Sequence, residues 1–306
     1  SLTEGNPFYL DTISQAVRDV VSSMTFKRVN QEVLIDALVK TLFNSKGCIF
    51  QYLNSSLETL KQKKSSEVYI SILISIANGS YRLKEISKAV KKRTGDVSKY
   101  MSDLIEMNIL YKNGSFYKFI DKMFGFWLRF VYQKKRSAII SYLPDRIRIF
   151  HGEMKYLIDA FTNEESKDIL SRVAALFKRF DSETITILDK EYKLPAFSSI
   201  AIMRFDNGDP YILAKANKKA WIVSANHDEL KDLDIIDFAD RRKALKLPVQ
   251  EKILIAISGI EINAHLLAKE EKISIWSIET LNQIMAHYGN DMIVDFKYKK
   301  EAKKTR

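Results

Sequence analysis

Cations grouped at close spacing are the residues of this chain best suited to chemistry, and the chemistry they suit is the neutralisation of a phosphate backbone. Lys88, Lys91, Lys92 and Arg93 fall within six positions, and Ser98, Lys99 and Ser102 follow on what reads as the next helix. Lys112, Asn113 and Lys118 come next, around an Asn-Gly pair. Lysine and arginine grip phosphates, while hydroxyls on the same helix face reach phosphates or base edges, so the set forms a candidate DNA interface. Asp103 and Glu106 stand close by and weaken its field.

Catalytic groupings are scarcer. No stretch reads GxxxxGK[ST], the loop whose amides cradle ATP phosphates, and no dinucleotide-type glycine motif occurs. His151, His227, His265 and His287 are scattered without HxxxH or HExxH spacing, which argues against zinc. Metal-dependent nucleases of the restriction-endonuclease-like kind place an Asp at the end of one strand and Glu-x-Lys on the next. Lys215 sits in the style of that lysine, but Leu213 occupies the Glu position and the preceding SIAIMRF has no inward carboxylate. Asp206 and Asp209 read as turn formers, and Asp181, Asp189 and Glu191 as loop-edge residues. The expectation is therefore no metal site and no catalytic residue, with Lys215 as a remnant. A working Mg-dependent nuclease with ligands elsewhere stays open, as does a protein-docking scaffold without nucleic acid.

These residues need a frame, and 306 residues supply enough chain for two domains or three small ones. Hydrophobic residues make up 46% and charged residues 28%, with ten Gly and five Pro, a composition that excludes fibrous and disordered classes. Cys48 is the single cysteine, so an internal disulfide and a multi-cysteine zinc site are both excluded and a reducing cytoplasm is expected. No apolar run approaches the roughly 20 residues of a membrane helix, and no membrane association is expected. The net charge of +11 is uneven. Residues 1–66 carry +2, 67–121 carry +3, 122–156 carry +6, 157–296 carry −5 and the last ten carry +5. The basic half suits DNA, and the acidic region suits a protein partner.

Hydrophobic spacing predicts short helices over 7–62, with Lys61 to Ser66 as a solvated connection. Tyr69, Ile72, Leu73 and Ile76 mark one helix ended by Asn78-Gly79-Ser80. Leu83, Ile86 and Val90 mark a second closed by Thr94-Gly95, and Val97, Met101 and Leu104 mark a third capped by Asp96. A hairpin turning at Asn113-Gly114 follows. This is the order of a winged helix-turn-helix. The stretch 122–150 mixes Phe124, Phe126, Trp127, Phe130 and Tyr132 with Arg129, Lys134, Lys135 and Arg136. Such residues can stack single-stranded bases, but the i, i+4 spacing of Phe126 and Phe130 favours a packing helix. Beyond Asp159 a helix over 165–180 precedes strands at 184–188, 199–205, 211–215, 220–224, 252–258 and 273–276. Helices follow at 233–245, 261–270 and 277–287, giving a mixed sheet flanked by helices. The tail KYKKEAKKTR is expected to be disordered.

With these residues in view, the opening SLTEGNPFYL resembles the Gly-Asn-Pro segment of the helical lid in archaeal-type AAA+/STAND ATPases. Glu67 to Asp121 followed by FGFWLRFVYQ is similar to the winged helix and aromatic signature after that lid. ILIAISGIEINAHLLAKEEKISIWSIETLNQIM resembles the end of the restriction-endonuclease-like domain found at the C-terminus of many members. The resemblance implies a multidomain chain: an all-α lid over 1–65, a winged helix-turn-helix over 66–121, a basic aromatic linker over 122–156, an inactive α/β restriction-endonuclease-like domain over 157–290 and a basic tail over 291–306. It implies that the Walker motifs, with their ATP and Mg, lie before Ser1, in a domain trimmed from or preceding this sequence. It also suggests Glu165 as an accessory carboxylate of the nuclease-like site. DNA is the expected partner, with a protein partner docking on the acidic domain.

Overall fold

Asn6 accepts the Phe8 amide at 3.0 Å and Pro7 takes the first helical position, which starts α1 (Pro7–Ser22). The computed structural model describes residues 3–24, 28–136, 143–217, 219–244, 248–290 and 292–293. The chain divides into two compact units, 1–160 and 161–306, so the division falls four residues beyond the boundary read at 156/157.

In the first unit α1 is followed by α2 (Gln31–Leu38), a π-helical turn at Val39–Phe43 and α3 (Cys48–Lys61). Next come α4 (Ser66–Ala77), α5 (Leu83–Val90), α6 (Thr94–Glu106) and the antiparallel strands β1 (Leu110–Asn113) and β2 (Phe116–Phe119). Between α4 and α5 the chain is briefly extended: Arg82 bridges Phe116, and the Tyr117 amide donates to the Tyr81 carbonyl at 2.8 Å. Three local details differ from the sequence reading. The stop of α5 is Lys91, which adopts the left-handed conformation at φ 55°, so Thr94-Gly95 falls inside α6. Arg93 rather than Asp96 precedes α6, leaving Asp96 in its first turn, where a carboxylate favours the positive end of the helix dipole. The hairpin register pairs Asn113 with Phe116, so its turn is Gly114-Ser115, with Gly114 at φ 59°.

The described residues of the stretch read as a linker form helices, the last of which runs past the division of the two units. They are α7 (Lys122–Trp127), a second π-helical turn at Leu128–Tyr132, α8 (Gln133–Arg136) and α9 (Leu143–Glu165). Met123, Phe124, Trp127, Leu128 and Val131 are buried in one core that also contains Leu53 and Leu57 of α3, Ile72 and Leu73 of α4, Met101 and Leu104 of α6, and Phe150 and Met154 of α9. Gly125 makes this possible, because a Cβ there would meet the Phe119 ring at 2.6 Å. Asp121 anchors the arrangement. Its carboxylate accepts the Met123 amide at 2.9 Å and the Phe124 amide at 3.4 Å, capping α7, and also accepts the hydroxyl of buried Tyr9 on α1.

In the second unit Asp168 caps α10 (Ile169–Phe177) by accepting the Ser171 amide at 2.9 Å. A hairpin of β3 (Glu183–Ile187) and β4 (Lys190–Leu194) turns through Leu188 and Asp189, both left-handed. The sequence reading lacked β4, whose KEYKL offers only Tyr192 and Leu194 at alternate positions, too short a pattern to mark a strand. A five-stranded sheet follows in the order β5 (Ser199–Arg204), β6 (Pro210–Ala216), β7 (Lys219–Asn226), β8 (Val249–Ala256) and β9 (Ser274–Ser277). The first two pairings are antiparallel and the last two parallel. The parallel crossovers carry α11 (Asp232–Ala244) and α12 (Ile262–Glu270), and α13 (Ile278–His287) follows β9. One sheet face meets the rings of Phe177, Phe180, Phe197, Trp221 and Trp276. On the other, Leu213, Ile222 and Leu254 pack with Ile235, Phe238 and Ala264. An all-α and hairpin unit followed by a sheet with helices on both faces is the coarse organisation expected. Apart from 292 and 293, the basic tail at 291–306 lies outside the described residues.

Replacing Asp121 with Ala removes a helix cap worth about 1 kcal/mol and strands a buried phenol at about 1–3 kcal/mol. Urea titration should show a loss of about 2–4 kcal/mol, and a loss below 1 kcal/mol would deny the anchor. Burial and the Asp121 carboxylate hold the Tyr9 phenol well above its ordinary range. A phenol with a raised folded pKa contributes stability that is complete below about pH 10 and lost as pH rises through that folded pKa. Alkaline unfolding of the wild type should therefore be steeper than that of Tyr9→Phe.

Candidate nucleic-acid interface

The three helices α4 to α6 and their hairpin place the predicted cations on one module. Lys88 lies in the last turn of α5, Lys91 and Lys92 in the connection, Arg93 immediately before α6 and Lys99 on it, and all five are exposed. Lys84, absent from the sequence reading, is exposed one turn before Lys88. Its i, i+4 spacing to Lys88 was the available signal. None of Lys84, Lys88, Lys91, Lys92, Arg93 and Lys99 has an ion-pair partner among the described residues. Ser102 is exposed and donates its hydroxyl to the Ser98 carbonyl at 3.1 Å, while Ser98 is half-buried. The α6 hydroxyls are thus turned partly toward their own helix.

The hairpin holds its cations against rings. Lys118 Nζ lies 3.8 Å from the centroid of Tyr81, and Lys112 Nζ lies 5.6 Å from that of Tyr117. Arg82, also missed in the sequence, stacks on Phe116 at 4.7 Å. Glu85 accepts the Tyr81 and Arg82 amides at 2.9 and 3.1 Å, fixing the strand-like step into α5. Asn113 closes β1 half-buried. Such ring contacts hold a cation in place, and Arg82 is also ion-paired with Glu85 at 3.8 Å.

The two nearby carboxylates behave differently from one another. Asp103 is half-buried and accepts the Tyr69 hydroxyl at 2.5 Å, a bond that pushes the Tyr69 phenol up to about 12. Glu106, at the end of α6, is exposed. The sequence counted Asp103 as part of the outer face, but it serves the α4–α6 contact.

The aromatic and basic stretch differs again. Lys134 pairs with Glu153 at 2.8 Å and Arg136 with Glu67 at 2.5 Å. Lys135 lies over Phe50 at 4.2 Å and Phe43 at 4.9 Å, where burial lowers its pKa. Phe126 and Phe130 contact each other at 4.8 Å and pack on the core. These rings and cations are engaged within the unit.

In the second unit Lys215 is exposed on β6, opposite Ser199 on β5 and Ala220 on β7, and Leu213 is buried among apolar neighbours. Asp209 accepts from Arg241 of α11 and from Asn207, bonds that hold its carboxyl below the usual range, and Asp206 is exposed. Glu191 lies on β4 rather than at a loop edge. Glu165 belongs to the end of α9, not to a helix over 165–180, and receives Arg172 at 2.6 Å. Arg172 is 3% exposed and also donates to the Met292 carbonyl at 3.0 Å, so this carboxylate serves an internal ion pair. Among the described residues no three His, Cys, Asp or Glu side chains come together to hold a metal. No helix among them is long and apolar enough to cross a membrane.

No protein-family model matches the chain, and no curated protein matches it. Among solved structures it is similar to protein VC1899 from Vibrio cholerae, with 14% identity over 85% of this chain and a TM-score of 0.27. The match spans 60% of that protein.

Removing one partner of a buried ion pair leaves an uncompensated charge, so Glu165→Ala is expected to cost about 3–5 kcal/mol. Equilibrium unfolding measures it, and a loss under 1 kcal/mol would reopen a ligand role for Glu165.

Proposed function

We propose that this chain is the DNA-binding and regulatory region of an archaeal-type AAA+/STAND ATPase, in which a winged helix-turn-helix contacts duplex DNA. The observation that carries the reading is the run of exposed cations from Lys84 to Lys99 that lack ion-pair partners on one helix-turn-helix surface, while Lys134 and Arg136 are paired. Unneutralised cations are what phosphate binding requires, since their partners are the phosphates themselves. In this reading α6 is the recognition helix, with Lys99 and Ser102 facing the groove and Ser98 beside them. Lys88, Lys91, Lys92 and Arg93 hold one strand of the backbone. Lys112, Asn113 and Lys118 form the wing, kept in place by Tyr81 and Tyr117.

The second unit then acts as a restriction-endonuclease-like domain without nuclease activity and serves as a docking or regulatory module. Its support is the order of three antiparallel strands, helix and parallel strand behind α10, together with Leu213 in the Glu position and the absence of a carboxylate cluster among the described residues. ATP and Mg belong, in this reading, to a P-loop domain of the family, and Lys215 retains no reaction. The lid over 1–65 couples the nucleotide state of that domain to the winged helix through the core they share.

The test is binding to a labelled random-sequence duplex across a salt series. The triple substitution Lys91→Glu, Lys92→Glu and Arg93→Glu should weaken binding by more than about tenfold and reduce the salt slope by roughly 0.9 for each phosphate that is no longer neutralised. Unchanged affinity and slope in a folded variant would refute the interface. Mg-dependent nicking that disappears in Lys215→Ala would instead assign an active nuclease to the second unit.

A further inference from the structure

The helix layer of the second unit presents apolar side chains on the side away from the sheet. α11 buries Ile235, Phe238 and Ala239, and α12 buries Ala264 and Ala268. Leu233 and Ile262 nevertheless stand 77% and 81% exposed, with Leu266 at 54% and Ile236 at 45%. In α12, Ile262 and Leu266 are one turn apart and lie opposite Ala264 and Ala268. The two helices start level with one another. Leu230 bridges Ile260 in parallel, its amide donates to the Gly259 carbonyl at 3.0 Å, and its own carbonyl accepts the Glu261 amide at 3.0 Å. Both helices follow parallel strands of one sheet, so they run in the same direction side by side, and their exposed apolar residues sit in neighbouring first and second turns. An apolar patch of this kind on an otherwise solvated surface marks a contact site.

The rim decides the occupant. Asp228, Glu229, Asp232, Asp237, Asp240 and Glu261 are exposed around these turns. Of the nearby cations, Lys231 reaches Glu261 at 3.9 Å, Lys243 pairs with Asp240 at 3.2 Å, and Arg241 binds Asp209 and Asp237. His227, His265 and Lys269 are exposed at the margins. Those pairings leave Asp228, Glu229 and Asp232, beside Leu233 at the start of α11, without an ion-pair partner among the described residues. These unneutralised acids repel nucleic acid and anionic lipid, and a symmetric contact with a second copy would set them against themselves. Two parallel helices leave a shallow groove between them that accepts the apolar stripe of a third.

We propose that the outer face of α11 and α12 docks a basic amphipathic helix of a partner protein, its apolar stripe on Leu233, Ile236, Ile262 and Leu266 and its lysines or arginines on Asp228, Glu229 and Asp232. The proposal rests on the reading of the second unit as a docking module and gives that module its partner class.

The experiment titrates the full chain into a labelled leucine–lysine amphipathic peptide, with a scrambled peptide of the same composition and a leucine–glutamate helix as controls. The leucine–lysine helix should bind at least about tenfold tighter than either control and weaken with salt. Leu233→Asp with Ile262→Asp should lower that affinity by about tenfold or more, and the milder Ile236→Gln with Leu266→Gln should lower it less. Both positions of each pair are solvent-facing, so melting temperature and duplex binding should hold. Equal binding of the scrambled peptide would reduce the face to a charge effect and overturn the proposal, as would indifference to both substitution pairs. A dimer of the chain that the Asp pair dissociates would give the face to a second copy instead. Duplex binding in the same proteins separates the two readings: a wild type that binds duplex but not the peptide retires the docking face alone, and the converse retires the DNA interface alone.

Discussion

A single carboxylate holds together parts of the first unit that lie far apart in sequence. Asp121 lies at the exit of the hairpin, caps α7 and takes the phenol of Tyr9, a residue 112 positions earlier. A carboxylate that accepts two amides and a hydroxyl has most of its lone pairs occupied, so its position is fixed relative to all three donors. Helical N-terminus, hairpin and aromatic helix are therefore constrained at one point, and the core that spreads from it is continuous from α1 to α9. The segments resembling lid, winged helix and linker do not have separate cores.

That shared core also sorts the charges. Lys134 and Arg136 are paired with carboxylates of neighbouring helices, and Lys135 is partly buried over Phe50 and Phe43, so all three are engaged in holding α8 and its surroundings. Those on α5, on the connection after it and on α6 have no such neighbours. Asp103 of α6, four residues from Lys99, is drawn inward by Tyr69.

In the second unit the sheet is satisfied on both faces by rings and aliphatic side chains, and among the described residues Arg172 forms a buried ion pair with Glu165. Carboxylates that a metal would need are distributed among tasks of structure: Asp168 caps a helix, Asp209 ties a turn to α11, and Glu165 neutralises an arginine. What remains outward is acid around exposed aliphatic residues on α11 and α12.

The sequence alone was sufficient for the helices α4, α5 and α6, the hairpin and the strands β5 to β9, because apolar spacing of 3.6 or 2 is a local property that each segment carries by itself. It also located the basic run at Lys88 to Lys99, since neighbouring cations are visible in any linear reading. Helix ends were less legible: Lys91 supplies a left-handed stop that a glycine was expected to supply, because tertiary packing overrides the preference. β4 was invisible, as KEYKL gains its strand form only by pairing with β3. Which acids and cations stay available was decided entirely by the fold. Asp103 and Tyr69, Asp121 and Tyr9, Glu165 and Arg172 are pairings whose members are 7 to 112 residues apart, and no spacing rule connects them. The energy of such pairs depends on burial and distance, two quantities that exist only once the chain has folded.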